Sequence, residues 1–174
     1  MEIFKNNNNY LLRIEKPSDR INIERLYDQV FGKNRFKRSV YLFRKGNPIE
    51  SLCLVIEENK KNPSLLACIR YWPIKLGNVI GLLLGPLAVR NELRGYGLGK
   101  TLVEKSLEKA SKEKWFFCLV SGEKDYYPRF GFEKINIKNL ILPRPIDPDR
   151  LHIKYFMTKN NLPFGELPWS LKKV

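Results

Sequence analysis

A glycine-rich segment at residues 94–101 carries the residues best suited to chemistry, and it reads Arg-Gly-Tyr-Gly-Leu-Gly-Lys-Thr. An apolar, strand-like run precedes this segment, and a helical pattern follows it. Backbone N–H groups at the start of a helix bind anions, and glycine lets a ligand approach the backbone closely. Lys100 adds a cation and Thr101 adds a hydroxyl. The segment therefore predicts an anion-binding turn.

Two common phosphate-binding patterns do not fit this turn. In a P-loop, four residues separate the first glycine from Gly-Lys-Ser/Thr, and Arg94 stands where that first glycine would be. The dinucleotide pattern Gly-x-Gly-x-x-Gly fails as well, because Lys100 stands where the third glycine would follow Gly95 and Gly97. Both classes of nucleotide-binding protein are disfavoured.

A third pattern, Arg-x-x-Gly-x-Gly, fits at Arg94, Gly97 and Gly99 and resembles the signature of the GNAT superfamily of acyl-CoA-dependent N-acyltransferases. The strand residues 87–89 resemble that family's pantetheine-binding strand, and residues 126–132 resemble its Tyr-x-x-x-Gly-Phe element. These elements stand in the family's order over about residues 78–134, and the chain looks most like a bacterial group of small predicted N-acetyltransferases. The resemblance implies acetyl-CoA as donor and a primary amine as acceptor, and the cysteine and histidine counts predict no metal.

The resemblance also implies which residues bind the cofactor. Pro86 provides a physical reason for a gap there, because a proline within a strand lacks a ladder donor and favours separation from the next strand. The pantetheine arm would pair with the strand, and the pyrophosphate would lie at the glycine-rich turn. The cofactor-binding candidates are Leu87, Ala88, Val89, Arg94, Gly95, Tyr96, Gly97, Leu98, Gly99, Lys100 and Thr101.

Acetyl transfer from a thioester needs an oxyanion donor, an acid for the thiolate and an unprotonated amine. The N–H group of Leu87 is the oxyanion candidate under the family geometry. Tyr127 is the candidate general acid, because a phenol is protonated at neutral pH. Residues 79–89 contain no carboxylate, so the base is open: Glu123 is the first candidate, with Asp125 in the same loop and His152 as alternatives.

The acceptor site is specified mainly by charge. Arg70 and Trp72, on a predicted strand, and Arg38, on a predicted basic helix at residues 35–45, are the acceptor-site candidates. The basic helix would border the acceptor in this family. A positive rim there favours an anionic or carboxylate-bearing acceptor over a polyamine.

The order of sequence patterns predicts the elements that position these residues. The predicted fold class is α/β with a mixed sheet: a GNAT-like, mostly antiparallel sheet that includes a βαβ unit and a splayed parallel strand pair. Residues 1–174 are predicted to form one domain. Strands are predicted at 10–14, 51–57, 65–74, 78–89, 115–120, 132–137 and 151–158, and helices after Pro17, at 35–45 and after Gly97.

Composition narrows the partners and the compartment. The formal net charge is +14, from 32 Lys and Arg against 18 Asp and Glu, which suits a polyanionic ligand but also fits a general compositional bias. Three widely spaced cysteines and a single histidine disfavour a structural zinc site and disulfides. The amino terminus lacks a signal-peptide pattern, and the longest apolar run is well short of the roughly 18 residues that span a bilayer. We predict a cytoplasmic protein without membrane or nucleic-acid partners.

Three hypotheses follow, with the first preferred. Under the first, the protein is an N-acetyltransferase in which the amine attacks acetyl-CoA directly within a ternary complex. The second keeps the cofactor site but uses a protein amine as acceptor or a longer acyl group. The third is a non-catalytic basic module whose glycine-rich turn holds a phosphate of a nucleic acid.

Overall fold

The computed structural model of the protein describes residues 4–6, 9–157 and 168–174. Two α-helices interrupt the succession of strands, one between the second and third strands and one directly after the glycine-rich turn. The strands are β1 (Phe4–Asn6), β2 (Tyr10–Ile14), β3 (Leu54–Glu58), β4 (Leu65–Leu76), β5 (Val79–Val89), β6 (Phe117–Ser121), β7 (Glu133–Lys134), β8 (Leu140–Ile141), β9 (Leu151–Tyr155) and β10 (Trp169–Lys173), and the α-helices are α1 (Arg20–Phe31) and α2 (Leu98–Lys112).

The strands form a mixed sheet in the order β1-β2-β3-β4-β5-β6-β9-β7. Along this path β5 and β6 are parallel, and all other neighbours are antiparallel. Helix α2 connects the two parallel strands, so β5-α2-β6 is the predicted βαβ unit. The predicted mixed sheet and the predicted antiparallel β3–β4 hairpin are confirmed, and the assignment of residues 1–174 to one domain stays a prediction.

The sheet buries apolar side chains on both faces. Successive residues of a strand point to opposite faces, and accordingly Leu82 and Leu84 pack with Leu102 of α2 on one side. Leu83 packs on the other side, against Phe43. Helix α1 covers part of this second face through Ile23, Leu26 and Tyr27, which pack with Val55, Cys68 and Ala88.

The prediction of a helix at residues 35–45 is wrong. The chain forms two 3-10 segments there, Lys33–Lys37 and Ser39–Phe43, separated by Arg38 in an extended conformation. Val40 and Phe43 are both buried, and a spacing of three residues places them on one side of a 3-10 helix, which has three residues per turn. The burial of these two side chains therefore favours 3-10 geometry.

The carboxyl-terminal strands also differ from prediction. The strand predicted at 132–137 shortens to β7, with two residues, and the one predicted at 151–158 ends at Tyr155; position 158 lies outside the described residues. Strand β10 was not predicted and pairs antiparallel with β4, far away in sequence.

The parallel strands β5 and β6 separate partway along their length. Their last paired residues are Leu84 and Val120, and Gly85 and Pro86 follow directly on β5. The β4–β5 pairing also shifts register at this point, which leaves Arg70 opposite two residues of β5. The separation at Gly85-Pro86 is the predicted splayed pair.

Within the described ranges, every helix is too short or too polar to cross a membrane. In the same part of the chain, no cluster of three or more His, Cys, Asp or Glu side chains is arranged to hold a metal ion.

Candidate active site

A cavity of about 1080 Å³ opens where β5 and β6 separate. One wall consists of the two strand ends with Tyr127, and a second consists of the glycine-rich turn. The third wall combines the 3-10 segment Ser39–Phe43 with the loop around Ile146, and Ser39 Oγ donates a hydrogen bond to the Pro145 carbonyl at 2.7 Å. This volume is at the upper end of ordinary small-ligand sites.

The separated part of β5 presents unused backbone groups to this cavity. The register pairs Val89 with Ala67 and Leu87 with Ile69, and the Arg90 N–H donates to the Leu66 carbonyl at 2.9 Å. Hydrogen-bonded and non-hydrogen-bonded pairs alternate along an antiparallel ladder. Counting back from Arg90, Leu87 and Val89 occupy non-hydrogen-bonded pairs, so their N–H groups face away from β4. They point into the gap that β6 leaves.

The glycine-rich turn directs further N–H groups toward the cavity. Gly95 and Gly97 adopt φ values of +87° and +84°, a conformation that favours glycine, and an added Cβ at either position would meet no atom within 4 Å. Gly97 is the residue immediately before α2, so the positive end of the helix dipole lies at the cavity wall. Arg94 and Lys100 add positive charge there. This wall can hold a phosphate-bearing ligand.

Tyr127 lies on the opposite side of the gap from β5 and is only 6% exposed. Its ring packs edge-on against Tyr126, with ring centroids 5.1 Å apart, and against Phe132 at 5.7 Å. Burial raises the pKa of the Tyr127 phenol above its usual value of 10, and the positive charge of Arg44 acts in the opposite direction. The phenol is therefore protonated at neutral pH, and Tyr127 lines the cavity.

Arg44 lies beside the point where the strands part. Its Nη2 atom is 2.8 Å from the position of a Cβ added to Gly85, and the Leu87 nitrogen is 3.8 Å from the same position. The guanidinium carbon lies 4.6 Å from the ring centre of Tyr41. The Nε atom is buried and has no hydrogen-bond partner among the described residues.

The base candidates differ in exposure. Glu123 lines the cavity, and its carboxylate lies 3.7 Å from Arg150 Nη1; the two side chains are 80% and 43% exposed. His152 is buried in β9 opposite Val120, with Nδ1 3.2 Å from the Arg150 carbonyl oxygen. Of these candidates, Glu123 alone contributes to the cavity wall.

Most of the cofactor-binding candidates surround the cavity. Ala88 faces α1 on the other side of the sheet, and Tyr96 and Thr101 also lie outside the lining, with Tyr96 exposed to solvent. The candidates that line the cavity are Leu87, Val89, Arg94, Gly95, Gly97, Leu98, Gly99 and Lys100.

Of the three acceptor-site candidates, Arg38 lines the cavity and the other two do not. Arg70 is buried in an ion network, with Nη2 2.6 Å from Glu15 Oε1 and Nη1 3.0 Å from Glu24 Oε1. Trp72 packs in the core beneath the 3-10 segment Ser39–Phe43. The structure thus places Arg70 and Trp72 away from the cavity.

Several cavity residues were not identified as site residues from sequence. Tyr41 and Ile146 come from the 3-10 segment and the proline-rich loop, which have no motif. Gly122 could have been found, because in the sequence it directly follows the buried run of β6. In the structure, an added Cβ there would lie 2.9 Å from two ring atoms of Tyr127. A glycine immediately after a buried strand is a signal of close approach.

The family comparison agrees with this geometry. Residues 50–134 match the sequence profile of the family described as acetyltransferase (GNAT) domain. This match includes Arg94, Gly97 and Gly99, so the resemblance to the GNAT family is confirmed over residues 50–134. No curated protein sequence matches the chain significantly.

Solved structures of GNAT proteins share the fold. The N-acetyltransferase YhbS of Escherichia coli, in complex with CoA, is 21% identical with a TM-score of 0.70 and covers 88% of this chain and 85% of its own. A GNAT acetyltransferase of Brucella melitensis in complex with acetyl-CoA is 21% identical with a TM-score of 0.64, and the match covers 92% of this chain and 96% of that protein. The ribosomal-protein-S18-alanine N-acetyltransferase of E. coli is 14% identical with a TM-score of 0.59, and the match covers 88% of this chain and 98% of that protein.

Proposed function

We propose that this protein is an N-acetyltransferase that uses acetyl-CoA and acetylates a primary amine by direct transfer within a ternary complex. The observation that carries the proposal is the parallel strand pair that separates after Leu84 and Val120, with free N–H groups at Leu87 and Val89 and the glycine-rich turn at the same cavity. The similar structures of YhbS with CoA and of the Brucella protein with acetyl-CoA support this assignment.

The two ends of the cofactor match two parts of the cavity. The pantetheine arm has amide groups and pairs with the open edge of β5 as an added strand would, accepting from the Val89 N–H. The pyrophosphate receives hydrogen bonds from the turn at Gly95 and Gly97, with charge from Arg94 and Lys100. The thioester then lies near Leu87, where the strands part.

The reaction follows from this placement. The neutral amine attacks the thioester carbonyl carbon and forms a C–N bond, while the carbonyl oxygen becomes an oxyanion that accepts from the Leu87 N–H. The oxyanion then re-forms the C=O bond as the C–S bond breaks, the thiolate takes a proton from the Tyr127 hydroxyl, and Tyr127 regains a proton from solvent. The proton lost by the amine passes to solvent, with Glu123 as the carboxylate at the cavity wall that can accept it through water.

Cysteine positions support direct transfer over an acetyl-enzyme. The three thiols are free and buried, and burial raises the pKa of both Cys53 and Cys68 to about 12. Burial also raises the pKa of Cys118. None of the three lines the cavity, and a buried protonated thiol is a poor nucleophile.

Calorimetric titration of acetyl-CoA into the wild type and two glycine variants tests the proposal. Gly97→Glu places a carboxylate where the pyrophosphate would bind, so we expect it to abolish measurable binding, whereas the wild type binds with micromolar or better affinity. Gly46→Glu is the matched control, because Gly46 also has a φ of +84° with no atom near an added Cβ and lies outside the cavity lining.

The control variant is expected to bind acetyl-CoA as the wild type does. Failure of the wild type to bind acetyl-CoA, or equal binding by Gly97→Glu, contradicts the proposal. Binding of a single-stranded oligonucleotide in place of acetyl-CoA would favour the basic-module hypothesis.

A further inference from the structure

Two guanidinium groups stand on the cavity wall opposite the glycine-rich turn, in the 3-10 region between Lys33 and Arg44. Arg44 is inside the cavity beside Gly85, and Arg38 is exposed at its edge, stacked 5.5 Å from the ring centre of Phe31. Within the described residues, no carboxylate lies within 4.0 Å of either guanidinium. This wall therefore carries positive charge that the protein itself does not neutralise.

The absence of a carboxylate partner among the described residues sets Arg44 apart from Arg35 and Arg70, which are also largely buried. Arg70 is paired with Glu15 and Glu24, and Arg35 is paired with Glu24 and Asp28. Removing a charge from water without a counter-charge is costly, so buried arginines are usually paired. Burial also lowers the pKa of Arg44 from its usual value. An anionic ligand would supply the missing partner.

The position of Arg44 relative to the reaction centre sets the distance between that anion and the attacking amine. Arg44 Nη2 and the Leu87 nitrogen both lie within 4 Å of one point above Gly85. A thioester oxygen bound to the Leu87 N–H places the attacking amine about 3–3.5 Å from the carbonyl carbon. An anion bound to Arg44 would then lie close to that amine, at a separation that one or two carbons can span.

We infer that the acceptor is a free α-amino acid, and that Arg44 binds its α-carboxylate while Arg38 adds charge at the rim. This inference rests on the proposed function and narrows its substrate class. A guanidinium pairs with a carboxylate through two parallel hydrogen bonds, which would also hold the amine next to the thioester. The amino terminus of a protein has an amide at this position, so the inference excludes a protein α-amine as the preferred acceptor.

The experiment compares matched acceptors in an assay of free thiol release from acetyl-CoA. Each set contains an L-amino acid, its carboxamide and the amine that lacks the carboxyl carbon, with alanine, methionine and phenylalanine as the three scaffolds. The enzymes are the wild type, Arg44→Gln and Arg44→Lys. Arg20→Gln is the control, because Arg20 is exposed at the start of α1 and lies outside the cavity lining.

We expect the wild type to prefer the amino acid of at least one set, and Arg44→Gln to lower the ratio of kcat/KM for acid over carboxamide by about 30-fold, mainly through KM. Comparing this ratio between enzymes removes differences in amine basicity. Arg44→Lys keeps the charge but loses the paired hydrogen bonds, so it should recover part of the preference. Arg20→Gln should match the wild type.

A second measurement does not depend on turnover. With CoA bound, the N-acetyl amino acids should raise the melting temperature of the wild type more than their carboxamides do, and Arg44→Gln should lose that difference. The inference is overturned if carboxamides are used as well as acids, if Arg44→Gln lowers kcat equally for every acceptor, or if no carboxylate is used or bound. An equal loss of kcat would place Arg44 on the oxyanion or thiolate.

These outcomes are separable from failure of the proposed function. A wild type that binds acetyl-CoA and acetylates carboxamides or simple amines keeps the proposed function and overturns the α-carboxylate site. A wild type that does not bind acetyl-CoA overturns both.

Discussion

Substituting Gly122 by alanine tests the role of Tyr127 without changing its hydroxyl. The backbone at Gly122 lies outside the left-handed region, so alanine fits its conformation. The new Cβ, however, would stand 2.9 Å from both Cδ2 and Cζ of Tyr127 and closer still to Cε2. Ordinary carbon contacts begin near 3.4 Å, so the ring or the end of β6 must move.

The expected size of the effect follows from that displacement. Tyr126 and Phe132 pack against the Tyr127 ring, so the ring has little free space on its far side. A displacement of about 1 Å in a catalytic group costs on the order of 100-fold in rate, and overpacking costs about 1–3 kcal/mol of stability. We expect Gly122→Ala to lower kcat about 100-fold in the thiol-release assay, with little change in the acetyl-CoA dissociation constant.

Gly81→Ala is the matched control for steric strain. An added Cβ at Gly81 would lie 2.5 Å from Cε1 of Phe117, which belongs to the core beneath the 3-10 segment and lies outside the cavity lining. This variant should melt at a lower temperature and keep kcat when assayed well below its melting temperature. A folded Gly122→Ala protein with the kcat of the wild type would refute the placement of Tyr127 at the reacting atoms.

Two further predictions concern single side chains. Tyr127→Phe removes only the hydroxyl, so kcat should fall about 100-fold while calorimetry shows unchanged acetyl-CoA binding; an unchanged kcat would exclude Tyr127 as the acid. Asp19→Asn tests the hydrogen-bond network of Asp19, which lies outside the cavity. Burial opposes ionisation of Asp19 and would raise its pKa. Hydrogen bonds from Arg13, at 2.6 and 2.9 Å, and from the Lys16 N–H outweigh this effect and lower the pKa. Because that pKa is lowered in the folded state, its contribution to stability is present above about pH 4 and is lost as the pH falls further. Thermal unfolding should show a lower melting temperature for Asp19→Asn at pH 7 and a smaller loss below pH 4; equal pH dependence in both proteins would contradict this role.

Local features of the cofactor side could be predicted from the sequence. Gly95 and Gly97 act through their own backbone conformation, and Pro86 acts through the donor that it lacks, so neither effect needs a distant partner. The apolar periodicity of α2 and the continuous apolar run of β6 likewise predict a helix between parallel strands. For these elements the local pattern and the final fold agree.

The acceptor side could not be predicted because distant contacts determine it. Arg70 is on the expected strand, but its carboxylate partner Glu15 is 55 residues away and holds the side chain outside the cavity. Arg44 reaches Gly85 only because Val40 and Phe43 bury their side chains in a 3-10 segment against the sheet. Both placements depend on packing between separate elements. The apolar periodicity of a single helix or strand does not predict such contacts.

Amide hydrogen exchange along β5 tests the central claim most directly. The claim is that acetyl-CoA pairs with the open edge of β5, where the N–H groups of Leu87 and Val89 face the cavity, whereas Ala88 occupies a hydrogen-bonded pair with Cys68. Saturating acetyl-CoA should therefore slow exchange at Leu87 and Val89 and leave Ala88 almost unchanged. Unchanged exchange at Leu87 and Val89 in a protein saturated with acetyl-CoA would contradict the account.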